Sequence, residues 1–163
     1  MEKRDPYMSY QLSESVSMND LVSVYINELN TAIVTMYRPP DSTVQSFKWS
    51  IMKVNDWIKK IVHKNDGVRI IVNGDFNLGK LEDWNEHIIE STKDRINERI
   101  QNKKKIRSEC TQMLDLMDFA DRWNLIQNIK NPTKDDRILD LVFTNEDIIC
   151  DINYKKTFQH IRS

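Results

Sequence analysis

The stretch TVQSFKWSIMKVNDWIKKIVHK most constrains what this chain can fold into. Val44, Phe47, Ile51, Val54, Ile58 and Ile61 recur there at spacings of three and four, which predicts an amphipathic helix with one apolar face. Before it stands LVSVYINELNTAIVTMYRPP, two β-rich runs around the polar turn Asn27-Glu28-Leu29-Asn30, which predicts a hairpin ending at Pro39-Pro40. After it, Val68 to Val72 form an apolar run interrupted only by Arg69, the pattern of a strand covered on both faces. Asp41 or Ser42 is the expected helix cap, and Asn65-Asp66-Gly67 the expected stop. Strand, long helix, strand is a crossover connection, so the chain reads as α/β.

The 163 residues suffice for one domain with a substantial core. A hydrophobic share of 39%, with only three glycines, argues against disorder. The net charge of −1 excludes a chain-wide basic field, so any nucleic-acid contact must come from a local patch. No apolar run approaches membrane-spanning length, and MEKRDPYMSY has no signal-peptide core, so the expectation is an intracellular protein, nuclear or cytoplasmic, without a membrane partner. Cys110 and Cys150 have no CxxC or histidine company, which argues against a disulfide framework or zinc site and leaves them as ordinary thiols.

Residues 81–107 are charge-dense and read as a charged helical insert. Within them, KDRINERIQNKKKIR at 93–107 carries a formal +5, seven cations less two anions. Lys103, Lys104 and Lys105 are its candidates for phosphate contact; the other reading is a solvated helix with internal ion pairs. Helical spacing returns in CTQMLDLMDFADRWNLI, with Met113, Leu114, Met117, Ala120 and Leu125 expected in a core. Two short strand-like runs follow, ILDLVF and DIICDI, around the turn Thr144-Asn145-Glu146-Asp147.

The apolar run at 70–73 breaks into Gly-Asp-Phe-Asn, which delivers a carboxylate and a carboxamide to a strand's carboxyl end, where α/β sheets place ligands. Alternation puts Asp75 and Asn77 on one side while Phe76 packs inward. A carboxylate accepts a proton from water or holds a hard cation, and a carboxamide donates to a phosphoryl oxygen without adding charge, a pairing suited to phosphodiester hydrolysis. The alternative is a plain turn, since Gly, Asp and Asn are turn residues.

Three stretches in order, MYRPP at 36–40, IIVNGDFN at 70–77 and RILDLVFTN at 137–145, resemble the endonuclease/exonuclease/phosphatase superfamily. The likeness is to the apurinic-type endonuclease domain of non-LTR (LINE-type) retrotransposons, and it covers the chain from about residue 20 onward. It implies an α/β two-sheet sandwich with flanking helices, DNase I-like. In that resemblance Tyr37 is similar to the residue that contacts the scissile phosphate. Asp75 is similar to the carboxylate that activates the attacking water, Asn77 to the holder of a phosphoryl oxygen, and Asp140 to the aspartate that orients a catalytic histidine. Without the resemblance, Tyr37 reads as a strand-edge side chain and Asp140 as a strand-end carboxylate satisfied by backbone donors. Arg38, Asn73 and Asn145 flank the motifs and read as surface or turn residues.

The departures shape the rest of the expectation. The family's metal-binding glutamate and an active-site asparagine precede the tyrosine motif by a long stretch, and Glu2, Glu14 and Glu28 sit in no such motif. His63, His87 and His160 lie outside the motifs, and the family's terminal Asp-His has no counterpart after KKTFQHIRS. The metal ligands are therefore open. The expectation is an incomplete domain over 1–163 with an exposed sheet face liable to self-associate. The resemblance implies Mg²⁺- or Mn²⁺-dependent hydrolysis of DNA, with this chain alone weakly active or inactive. Two other readings stand beside it: a non-catalytic remnant that binds DNA or a partner, and a phosphatase of the same superfamily.

Overall fold

The computed structural model describes residues 7–11, 19–78, 93–94, 97–98, 101–102, 108–134 and 137–147. Six strands form one sheet: β1 Tyr7–Gln11, β2 Asp20–Ile26, β3 Thr31–Tyr37, β4 Arg69–Asp75, β5 Ile126–Gln127 and β6 Asp140–Thr144. Two helices bounded within the described residues accompany them, α1 Val44–Val62 and α2 Ser108–Arg122. The strand order is β1-β2-β3-β4-β6-β5. Only β3 and β4 pair in parallel, through the α1 crossover. The other pairings are antiparallel.

The predicted hairpin is β2–β3. A one-turn 3₁₀ helix, Asn27–Leu29, reverses the chain, and Asn30 closes it at φ 47°, a left-handed conformation that asparagine tolerates. Its carboxamide donates to the carbonyls of Asp66 (2.8 Å) and Gly67 (3.0 Å), tying the hairpin tip to the turn before β4.

Helix α1 begins one residue later than expected for its cap. Thr43, rather than Asp41 or Ser42, holds the cap position, its hydroxyl accepting from the Ser46 amide at 3.1 Å. Ser42 is buried instead and donates to Asn19 Oδ1 at 2.8 Å. Phe47, Ile51, Val54 and Ile58 of the predicted stripe are buried, joined by Trp57, while Val44 and Ile61 are half-buried at its ends. In α2, Met113, Met117 and Ala120 are buried as expected, Leu125 is buried just past its end, and Leu116 and Phe119 complete the face; Leu114 is only half-buried.

Both helices cover the same face of the sheet, against Ala32, Val34 and Met36 of β3, Ile70 and Val72 of β4, and Leu141 and Phe143 of β6. Phe76, fully buried, meets Phe143 edge to face with centroids 6.2 Å apart. The opposite face corrects the expectation of a strand covered on both sides: Arg69, Ile71 and Asn73 of β4 are half-buried, and Val22 of β2 is 55% exposed. One sheet, not two, lies among the described residues. The second apolar run, DIICDI, falls beyond them except for Asp147, as do Cys150, His87 and His160. Strands β1 and β5 carry no strand signal that the sequence reading used.

Candidate functional site

Register places three of the four motif residues side by side. Tyr37 ends β3, Asp75 ends β4 and Asp140 begins β6, and the pairings Tyr37↔Asp75 and Asp75↔Asp140 put them in one row across adjacent strands. Asp20, opposite Tyr37 on β2, extends the row. Alternation turns this row to the open face, since Met36, Phe76 and Leu141 on either side of it are buried under the helices. Tyr37 and Asp140 are exposed and Asp75 is half-buried.

Gly74 makes the row possible. Its φ of 145° is closed to side-chain-bearing residues, and a Cβ there would lie 1.8 Å from the Met36 carbonyl oxygen. Beyond Asp75 the chain leaves the sheet: the amides of Phe76 and Asn77 both donate to the Leu139 carbonyl, at 2.8 and 3.3 Å. Asn77 then adopts φ 49°, and its Nδ2 donates to the Arg38 carbonyl at 2.9 Å. The carboxamide of Asn77 is thus anchored to the neighbouring loop, a contact that simple strand alternation does not anticipate. Thr133 holds the entry to β6, its hydroxyl accepting from the amides of Leu139 (2.9 Å) and Asp140 (3.2 Å).

One oxygen of the Asp75 carboxylate, Oδ1, is buried and has no hydrogen-bond partner among the described residues. Burial raises the Asp75 pKa above the ordinary carboxylate value and the neighbouring Asp140 carboxylate raises it further, while the backbone and side-chain amides of Asn77 and the more distant Lys134 pull it down. Two carboxylates one strand apart with an orphaned oxygen are hard, all-oxygen donors of the kind Mg²⁺ accepts alongside water and substrate phosphate. Among the described residues no group of three or more His, Cys, Asp or Glu forms a metal cage. The one described histidine, His63, caps the end of α1.

Two residues read from sequence as peripheral, or not singled out, lie under this row. Arg38 is 2% exposed, and its guanidinium donates to Gln112 Oε1 (2.9 Å from Nε) and to the carbonyls of Phe76 (3.4 Å) and Asn77 (3.3 Å). Gln112, fully buried, donates in turn to the Ser42 carbonyl at 2.8 Å. The signal for Gln112 was available: a polar residue sits in the register of Leu116 and Phe119, on the buried face of α2. Asn145 is likewise structural, its Oδ1 accepting from the Ile70 amide at 2.7 Å and its Nδ2 donating to the Val68 carbonyl at 2.9 Å.

Of the basic stretch, Lys103, Lys104 and Lys105 lie outside the described residues. Lys93 is paired with Asp121 and, at 3.5 Å, with Asp118 of α2. No helix among the described residues is long and apolar enough to cross a membrane.

A search of curated proteins finds no match to the chain. The family profile described as endonuclease-reverse transcriptase matches residues 31–163, a span that takes in Tyr37, the Gly74–Asn77 turn and Asp140. The sheet, its crossover and that match together identify the chain as a member of the endonuclease-reverse transcriptase family, with a partial endonuclease/exonuclease/phosphatase-type fold.

Proposed function

We propose that the chain carries the phosphodiester-cleaving centre of a divalent-metal-dependent DNA endonuclease of the retrotransposon type. The observation that carries this reading is the row Tyr37–Asp75–Asp140, in register on three neighbouring strands, with Asp75 Oδ1 left without a partner among the described residues. Asp75 is the base that takes a proton from the attacking water, and burial together with Asp140 raises its pKa above the ordinary carboxylate value, the direction that favours a general base. Tyr37, exposed beside it, contacts the phosphate through its hydroxyl. The backbone and carboxamide of Asn77 keep the Asp75 carboxylate ionised and on the open face. Asp75 and Asp140 are the residues that would hold Mg²⁺ or Mn²⁺, and the ion would supply Lewis-acid stabilisation of charge on the phosphoryl group.

The test is nicking of supercoiled plasmid in Mg²⁺, with Asp75→Ala and Asn77→Ala as variants. Loss of general-base catalysis lowers the rate by ~10²- to 10⁴-fold. Where the wild type nicks, equal nicking by Asp75→Ala at equal folded concentration removes Asp75 from the chemistry. A phosphatase reading makes the opposite forecast, turnover of a phosphomonoester with no nick.

A further inference from the structure

We infer that Arg38, held by Gln112, is the positioning residue of the site: it clamps the turn that leaves β4 after Asp75 onto the end of β3 that carries Tyr37. The kinetic part of this inference rests on the nuclease reading; the structural part does not.

Six hydrogen bonds meet at this one residue, from the end of β4, the turn after it and α2, two of them to Gln112. Its amide donates to the Asp75 carbonyl at 2.8 Å, continuing the β3–β4 ladder one residue past Tyr37. Its carbonyl receives the Asn77 Nδ2 at 2.9 Å. Its guanidinium reaches back to the carbonyls of Phe76 and Asn77, and through Nε to Gln112 on α2. The backbone of Asn77 is therefore gripped by the Arg38 side chain while the side chain of Asn77 is gripped by the Arg38 backbone. This reciprocity fixes the left-handed conformation of Asn77 and, two residues back, the direction of the Asp75 carboxylate.

Stability alone gives no reason for an arginine here. Burial lowers the Arg38 pKa, and the field of Glu109, with lesser parts from Asp41 and Asp75, offsets only part of that, so the buried charge is a cost that apolar packing avoids. What a guanidinium offers and an apolar side chain does not is a planar fork of donors that meets several acceptors in fixed directions. The acceptors it meets are neutral and belong to the turn and to Gln112. Gln112 is suited to its part because its oxygen accepts from Arg38 while its nitrogen donates to the Ser42 carbonyl, so the orientation of the amide is determined from both ends.

The test uses Arg38→Lys, which keeps the charge and removes the fork, and Gln112→Met, which removes the anchor together with its bond to the Ser42 carbonyl and leaves the arginine in place. Amide hydrogen exchange on the metal-free protein is read at Phe76 and Asn77 against the β4–β6 ladder. The inference expects exchange at those two amides to quicken by about 10-fold or more over the ladder. In plasmid nicking with Mg²⁺ it expects kcat to fall by ~10²-fold with KM unchanged, the effect of misplacing a reacting group by about 1 Å. Uniform acceleration across the sheet, or none, overturns it, as does unchanged kcat per folded molecule. Should the wild-type chain not nick DNA at all, the nuclease reading fails, and the exchange pattern still decides the role of Arg38. Should Arg38→Lys not fold, Gln112→Met carries the same comparison with the arginine in place.

Discussion

Replacing Gly74 with alanine tests whether the row of Tyr37 and Asp75 depends on the close approach of β3 and β4. The added Cβ would stand 1.8 Å from the Met36 carbonyl oxygen, 2.8 Å from its carbon and 2.9 Å from its nitrogen, all backbone atoms in a paired strand. An alanine at φ 145° costs ~1–3 kcal/mol in backbone strain alone. Relieving the clash needs the strands to part by more than an ångström beside the Arg38-to-Asp75 bond, and each ladder bond given up costs about 1 kcal/mol. Together these come to roughly 3–5 kcal/mol, a large share of the ~5–15 kcal/mol that holds an ordinary domain folded. With a urea slope of ~1–3 kcal/mol per molar, the midpoint drops by about 2 M. Urea titration followed by tryptophan fluorescence measures it, since Trp57 is buried against the core. Gly67→Ala is the control: Gly67 also has positive φ, 62°, but no atom lies within 4 Å of its would-be Cβ, so only the conformational cost of about 1 kcal/mol remains. Equal midpoint losses for the two alanines would refute the argument, because the contact with Met36 would then contribute nothing.

Three further perturbations separate stability from function. Asp75→Asn removes nicking and yet stabilises the metal-free protein at neutral pH. The folded-state pKa of Asp75 is raised, chiefly by burial, so its favourable contribution is complete below the unfolded value of 3.8 and is lost as pH rises through the folded value; melts of variant and wild type should coincide in acid and diverge toward neutrality. Thr43→Ala removes the helix cap and costs about 1 kcal/mol, a Tm drop of ~2–4 °C, whereas Asp41→Ala leaves Tm unchanged. Val22→Lys and Ile126→Lys, on side chains 55% and 53% exposed, change stability by less than ~0.5 kcal/mol and shift any concentration-dependent sedimentation toward monomer.

The elements with strong periodicity were legible because one face decides them. Phe47, Ile51, Val54 and Ile58 announce α1, and the run around Ile70 and Val72 announces β4. The cap was misplaced by one or two residues because Asp41, Ser42 and Thr43 are all capping types, and the choice falls to burial: Ser42 is drawn inward by Asn19 and Gln112. The two-residue β5 had no chance of being read, since Ile126-Gln127 is too short for alternation and exists only through pairing with Thr144 and Phe143. At the site, the positions of Tyr37, Asp75 and Asp140 followed from motif order. Arg38 did not: an arginine after an exposed tyrosine has the pattern of a surface residue, and only its packing against Gln112, 74 positions away, reverses that.

The two faces of β4 carry opposite demands, and Gly74 is where they meet. Ile70 and Val72 face the helices, and the next residue on that side would ordinarily be another apolar side chain. Glycine there forfeits that packing, and its φ also aims the missing Cβ along the sheet toward Met36 instead of into the core. What it permits is contact between β3 and β4 at the one row where Tyr37 and Asp75 are neighbours, followed at once by the turn that Arg38 grips. A large apolar residue at 74 would meet the Met36 backbone and force β3 and β4 apart, and the row would be lost with it. The polar chain from Arg38 through Gln112 and Ser42 to Asn19 then reads as the support for a strand end kept open to solvent, and its disruption should act on Asp75 before it acts on the core.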